Sequence, residues 1–239
     1  MFHTIFYEPI YNLLVFVLSN TPLHDIGIAI IIVTLVVKFI LLPLNISALR
    51  TQYLMKRLEP EMAKIRELQK KDPREASQKM MDLYKKEKLN PFAGILGPLL
   101  QIPVIIALYQ VFFKGMHNDP NSLYTFLSFP ESLHTLAFGF FDMTQKSIIL
   151  AVLAGISSFM LARRQTTSMV TKKASHEETF QDQLMKSMRI QILYVLPVIT
   201  TVMSAFFPSA IALYFVVSNI IGYGQDIYMK NKLAHLKPL

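Results

Sequence analysis

The sequence predicts an all-α polytopic membrane protein. Hydrophobic residues make up 52% of the 239 residues and charged residues only 17%, against about 25% in soluble domains. Five stretches with at most one charge approach the roughly 20 apolar residues that a helix needs to cross a bilayer. Cysteine is absent from the sequence, which excludes disulfides, thiolate zinc sites and iron–sulfur clusters.

The N-terminal segment 1–25 is predicted to be an amphipathic helix that lies on the outer membrane surface. Phe6, Ile10, Leu13 and Val17 recur at intervals of four, three and four residues, which is the spacing of one helical face. Residues 2–18 also carry the polar or helix-breaking residues His3, Glu8, Pro9 and Asn12. These residues favour an interfacial helix over a sixth span.

Five membrane spans are predicted, over residues 26–46, 91–113, 147–162, 190–207 and 208–225. The third is short for an ordinary bilayer, because 16 helical residues extend only about 24 Å. The last two are separated by the Phe207-Pro208 corner, which predicts a tight helical hairpin.

The distribution of Lys and Arg predicts the orientation. Of the 24 basic residues, 21 fall in three segments that alternate with the remaining loops, namely 46–90, 163–189 and 225–239. Because cytoplasmic loops collect Lys and Arg, these segments are placed inside. The prediction is an N-terminus outside, an outer loop over 114–146, a cytoplasmic loop over 163–189 and a basic cytoplasmic tail over 226–239.

Residues 47–90 are predicted to form a cytoplasmic hairpin of two helices. Asp72-Pro73-Arg74-Glu75 combines a capping Asp, a Pro at the first helical position and a Glu at the third, a helix-start signature. Apolar residues recur at intervals of three or four on both sides of it. We interpret the hairpin as a docking element, with a solvated connector as the alternative; the basic docking candidates are Lys56, Arg57, Lys85 and Lys86.

Lys38 is the one charged residue within the predicted spans. A cation at the centre of a membrane helix costs roughly 2.5 to 3.5 kcal/mol on insertion scales. Either its ammonium reaches the cytoplasmic headgroups, or Lys38 and Thr34 face a watery cavity from one side of their helix. Other polar positions in the spans would line that cavity or serve helix packing; the candidates are Gln101, Thr201, Tyr214 and Ser218.

The residues missing from the spans exclude several kinds of chemistry. The five predicted spans contain no Asp, Glu or His, so proton relays and intramembrane proteolysis lack their reacting groups. Neither a phosphate-binding loop nor an HExxH zinc motif occurs in the sequence. We therefore expect no catalytic residue, no metal, no cofactor and no enzymatic activity.

Three stretches carry a resemblance to a known family. They are a cation four residues after Thr34 followed by LLPL, the run MMDLYKKEKLNPFAGILGPLLQIPVIIALYQ, and the run FFPSAIALYFVVSN. Together they resemble the YidC/Oxa/Alb membrane protein insertases over nearly the whole chain. The resemblance implies a five-helix core with a hydrophilic groove that is open to cytoplasm and lipid and that accepts nascent membrane proteins without ATP.

The resemblance also implies roles for individual residues. Lys38 takes the place where the family commonly has an Arg, Thr34 and Gln101 are polar neighbours in the groove, and Tyr214 contacts the substrate helix. An ammonium cannot pair bidentately with a carboxylate as a guanidinium does, so a general attraction for acidic residues remains. The tyrosine pair often seen in the last span is here Tyr214-Phe215.

Partners follow partly from the resemblance and partly from charge. Nascent membrane proteins are the implied clients, and the ribosome, the Sec translocon and a targeting receptor are candidate partners. Membrane topology accounts for 21 of 24 basic residues, so we expect anionic lipids and no DNA as their partners. Without an evident transit peptide, the expected location is a bacterial plasma (inner) membrane.

Two other functions remain open from the sequence. The first is a membrane-embedded assembly chaperone or scaffold that acts only with a translocon. The second is a small-solute channel or transporter, which is disfavoured because the spans contain no detectable internal repeat and no carboxylate for ion coupling.

Overall fold

The computed structural model describes residues 1–21, 24–69, 72–87, 89, 93–113, 119–167, 186–187 and 189–233. These residues are mostly helical, in agreement with the predicted class. After a π-helical turn at His3–Tyr7, the helices are α1 (Glu8–Asn20), α2 (Ile26–Ile40), α3 (Leu42–Arg57), α4 (Glu59–Gln69), α5 (Pro73–Lys86) and α6 (Ala93–Phe113). After the short antiparallel strands β1 (Leu136–Ala137) and β2 (Phe141–Asp142) come α7 (Ile148–Thr167), a π-helical turn at Gln191–Val195, α8 (Leu196–Phe206) and α9 (Ser209–Leu233).

The first predicted span is bent. Its helix α2 ends at Ile40, and α3 begins at Leu42 at an angle of 61° to it. Pro43 explains the break, because it has no N–H to donate to the carbonyl of Phe39. The segment 26–46, expected as one span, is therefore a helix of 15 residues followed by the start of a second helix.

Two described helices are long and apolar enough to cross a membrane, α7 over Ile148–Thr166 and α9 over Ser209–Leu233. The bent pair α2–α3 makes a third candidate if it is counted as one span. The apolar stretches Gln101–Phe112 and Gln191–Phe206 are shorter. The five-span topology remains a prediction.

The loop over 119–146, here called the cap loop, lies across one end of the helical core. The Ile26 amide donates to the carbonyl of His134 at 3.2 Å, and the amides of Ser209 and Ala210 donate to the carbonyls of Gln145 and Met143. The N-terminal ends of α2 and α9 are thus attached to this loop, and α7 begins where it ends. Consequently α2, α7 and α9 run in the same direction away from the cap loop.

Helix α1 is packed against this core. The buried stripe is wider than the expected one. Ile10 and Val17 are buried as predicted, Phe6 and Leu13 are only partly buried, and Tyr7, Tyr11, Leu14 and Leu18 are buried in addition. Asn12 holds α1 to the cap loop through hydrogen bonds to the backbone of Ser122 and Tyr124, both 2.7 Å long. Burial, together with the neighbouring Asp119 carboxylate, raises the pKa of Tyr7 to about 12.

Helices α4 and α5 pack together beyond the far end of the core. Leu58, Met62, Leu83 and Leu89 form a separate apolar cluster between them. The Asp72 carboxylate accepts hydrogen bonds from the amides of Arg74 and Glu75, so it caps α5. The first arm of the hairpin is interrupted at Leu58, between α3 and α4, where Pro60 cannot donate to the carbonyl of Lys56.

Candidate functional site

The candidate site begins with the face of α2 that carries Thr34 and Lys38. Thr34 is buried, at 1% exposure, whereas Leu35, Phe39 and Ile40 are exposed apolar residues on the other side of the helix. Residues four apart on a helix share a face, so Lys38 projects from the side that packs on protein. It lies about 18 Å along α2 from Ile26.

The Lys38 ammonium is directed to a neighbouring helix. Its Nζ donates to Gln101 Oε1 of α6 at 3.4 Å, and Gln101 Nε2 donates in turn to the hydroxyl of Tyr214 in α9. Tyr214 is 2% exposed, and Ser218, one turn further along α9, is buried beside it. A cation, an amide, a phenol and a hydroxyl from three helices therefore meet, and we call these four residues the polar cluster.

The other two predicted site residues lie differently. Thr34 donates to the carbonyl of Ile30 at 2.6 Å, so its hydroxyl is satisfied within its own helix one turn from Lys38. Thr201 of α8 donates to the carbonyl of Pro197 and packs against Gly155 of α7. A Cβ at Gly155 would come within 1.9 Å of Thr201 Oγ1. Thr201 is therefore part of a close contact between α7 and α8.

The basic docking candidates lie near one another, at the base of the hairpin. Lys56 and Arg57 end α3, while Lys85 and Lys86 end α5, and the Leu58–Leu83 cluster joins these two ends. The three lysines are exposed. Arg57 is partly buried, and its Nε is a buried donor without a hydrogen-bond partner among the described residues.

Sequence reasoning missed a second polar network. Asp226, assigned to the tail, is 1% exposed within α9, which continues to Leu233. Its carboxylate accepts from Arg164 Nε of α7 at 2.8 Å and from the hydroxyl of Tyr53 of α3 at 3.0 Å. The Arg164 guanidinium also lies over the ring of Tyr223, 4.7 Å from the centroid. The available signal was an acidic residue immediately after the predicted fifth span, three residues from an aromatic one.

The polar cluster offers one positive charge and several hydrogen-bonding groups in a largely apolar setting. Such an arrangement is chemically able to attract and orient an acidic or polar segment of another molecule. Within the described ranges, no group of three His, Cys, Asp or Glu side chains could hold a metal ion.

The comparison with known families agrees with the motifs around this cluster. The family model described as 60Kd inner membrane protein matches residues 17–236, which include the polar cluster and the hairpin. The chain belongs to this family. The resemblance predicted from the sequence motifs is thereby confirmed.

Several relatives of this chain are named membrane protein insertase YidC. One from Clostridium tetani is 32% identical over 228 residues, covering 94% of this chain and 90% of the relative. One from Oceanobacillus iheyensis is 30% identical over 244 residues, covering 99% of this chain and 86% of the relative.

A longer relative, from Magnetococcus marinus, carries the same name. It is 31% identical over 230 residues, which are 95% of this chain and 36% of the relative. The chain thus spans nearly the full length of some relatives and about a third of others.

Proposed function

We propose that this protein inserts nascent membrane proteins into the bacterial plasma membrane, without ATP, through a hydrophilic groove lined by the polar cluster. One observation carries the proposal: the Lys38 ammonium faces Gln101 and the buried Tyr214 between three helices. The names of the relatives, which describe membrane protein insertases, support the same function.

The groove lowers the barrier for a polar segment of the client. Hydrated polar groups that extend partway into the membrane shorten the apolar distance that the client's outer segment must cross. Lys38 attracts acidic residues on that segment. Two unit charges 4 Å apart attract by about 4 kcal/mol at an effective dielectric constant of 20, against about 1 kcal/mol in water.

The proposed topology has five spans, an outer N-terminus and a cytoplasmic C-terminus. The cap loop, which closes one end of the core, is then the outer side. The docking lysines and the Arg164–Asp226 pair belong to the opposite, cytoplasmic end, in keeping with the distribution of basic residues.

The exit path for an apolar client helix leads sideways into lipid. Helices α7 and α9, the third and fifth spans, expose apolar side chains such as Val152, Ile156 and Ile220. A client helix leaving the groove exchanges contacts with these side chains for contacts with acyl chains, which are equally apolar.

The hairpin receives the client on the cytoplasmic side. Its exposed lysines at positions 56, 85 and 86 form a basic surface next to the entrance of the groove. Such a surface suits anionic lipid headgroups and the acidic or phosphate groups of a ribosome, a targeting receptor or the Sec translocon.

Reconstitution of the purified protein alone tests the proposal. Liposomes that contain only this protein should insert a client with an acidic outer segment, scored by protection of that segment from external protease. Lys38→Met should lower insertion about tenfold, the effect of losing roughly 1.4 kcal/mol of attraction. Lys38→Arg should retain it, and a neutral client should be affected less.

Lys146→Met is the matched control, because it removes a cation at the end of the cap loop and outside the polar cluster. Failure of the wild-type protein to insert any client without a translocon would overturn the proposal in favour of an assembly scaffold. If Lys38→Met inserts the client as well as the wild-type protein does, the Lys38 cation has no role in insertion.

A further inference from the structure

Strands β1 and β2 form a hairpin in the cap loop whose tip is apolar and exposed. Phe140 at the tip is 84% exposed, and Phe138 is 52% exposed. The segment 135–141 contains no charged residue. Exposed apolar side chains that lie together in one patch mark a site of contact with another protein or with a membrane.

The backbone of the tip is held in an unfavourable conformation. Phe138 has a φ of +54° and Gly139 a φ of +74°, while the amide of Phe140 donates to the carbonyl of Ala137. Positive φ at both central residues of a hairpin turn is usual for Asn and Gly and is costly for a bulky residue such as Phe. The turn therefore presents a phenylalanine where a small polar residue would fold more easily.

Two contacts fix the tip to the start of α2. The amide of Phe138 donates to Asp25 Oδ2 at 3.2 Å, while Asp25 Oδ1 caps α2 by accepting from the amide of Ile28. Ala137 is fully buried against Gly27, where an added Cβ would lie 2.2 Å from the Cβ of Ala137. The position of the phenylalanines is thus rigidly coupled to the end of a membrane helix.

The neighbouring surface is apolar too. Helix α7, a candidate span, begins only eight residues after Phe140, and its first residues Ile148 and Ile149 are both exposed. Lys146, just before it, has its ammonium 6.0 Å from the ring centroid of the exposed Phe206. A lysine beside an aromatic ring at the end of an apolar helix is typical of the membrane–water interface.

We propose that the Phe138–Phe140 tip inserts into the lipid leaflet on the cap-loop side and fixes the depth of α2 in the bilayer. The tip contacts phospholipid, because it is uncharged and lies at the same end of the molecule as the exposed start of α7. This inference requires that the helices span a membrane, and it is independent of the insertion activity.

The sequence allows a direct test, because it contains no tryptophan. Phe140→Trp becomes a single fluorophore at the tip, Ile149→Trp a reference in lipid, and Met81→Trp on the exposed face of α5 a reference in water. Each variant is reconstituted at high lipid-to-protein ratio into phosphatidylcholine–phosphatidylglycerol vesicles with or without bromine atoms near the carbonyl ends of the acyl chains.

The expected result is that Trp emission from Phe140→Trp is shifted to shorter wavelength than that from Met81→Trp and loses intensity in the brominated vesicles. Emission at the wavelength of Met81→Trp, with quenching by aqueous iodide alone, would overturn the proposal. A blue shift without quenching by bromine would overturn it as well, because the tip would then be covered by protein, such as a second copy of the chain.

A nitroxide label gives a second measurement that does not depend on the tryptophan variants. Cysteine is absent from the sequence, so Phe140→Cys provides a unique attachment site. In vesicles, the labelled tip should collide more often with oxygen, which concentrates in lipid, than with a water-soluble nickel complex. The opposite order would contradict insertion of the tip into the leaflet.

Discussion

Replacement of Asp226 by Ala should strongly destabilise the protein, since its carboxylate joins three helices. Arg164 of α7 and Tyr53 of α3 both donate to it, and only 2% of the Asp226 side chain is exposed. The substitution removes the acceptor that the Arg164 guanidinium and the Tyr53 hydroxyl share at the junction. The destabilisation comes mainly from the guanidinium, which loses the carboxylate of its ion pair.

The magnitude follows from their burial. Removal of one partner from a buried ion pair costs about 3 to 5 kcal/mol. The Arg164 side chain is 25% exposed, so it can recover part of its hydration, and the low end of the range applies. We expect a loss of ~3 kcal/mol in the free energy of unfolding, which is roughly a hundredfold in the unfolding equilibrium.

The assay is unfolding in mixed micelles by increasing mole fraction of sodium dodecyl sulfate, followed by circular dichroism. Asp82→Ala, which removes an exposed carboxylate from α5, is the matched control. Tyr53→Phe should lose only about 1 kcal/mol, the value of one hydrogen bond. If Asp226→Ala stays within about 0.5 kcal/mol of the Asp82→Ala control, the usual range of surface substitutions, the network does not stabilise the junction.

Two further predictions concern local packing and capping. Gly155→Ala should destabilise the α7–α8 contact by about 1 to 3 kcal/mol, because the added methyl group overpacks against Thr201. In the same detergent titration, the double variant Gly155→Ala/Thr201→Ala should recover most of this loss. Unchanged stability of Gly155→Ala alone would contradict the close approach of the two helices. Asp72→Ala should weaken α5 by about 1 kcal/mol, seen as faster hydrogen exchange at the Arg74 and Glu75 amides. Unaltered exchange there would show that the cap is dispensable.

Features that depend on neighbouring residues in the chain could be predicted from the sequence. Asp72 caps α5 as its spacing to Pro73 and Glu75 indicates, because a cap requires only a side chain and the amides that follow it. The meeting of Lys38, Gln101 and Tyr214 was predicted only through the family resemblance. Periodicity places residues on a face of one helix and does not say which helices become neighbours.

Features that depend on distant contacts were missed or displaced. Asp226 was assigned to a tail because its partners, Arg164 and Tyr53, come from two other helices that no local pattern links to it. Thr201 was predicted to line the groove together with the residues of the polar cluster. In the structure it packs against α7 instead, because Gly155 has no side chain and leaves room for it. The bend at Leu41 depends on Pro43, whose effect was not carried into the predicted span over 26–46.

Site-specific crosslinking to a client tests most sharply whether the polar cluster is the path of insertion. A photoreactive amino acid is placed at position 38, 101 or 214, with position 201 at the α7–α8 contact as the control, and each variant is exposed to a ribosome-stalled nascent membrane protein. We expect adducts from the first three positions and few or none from position 201. Equal labelling at all four positions, or labelling at position 201 alone, would contradict passage of the client along Lys38, Gln101 and Tyr214.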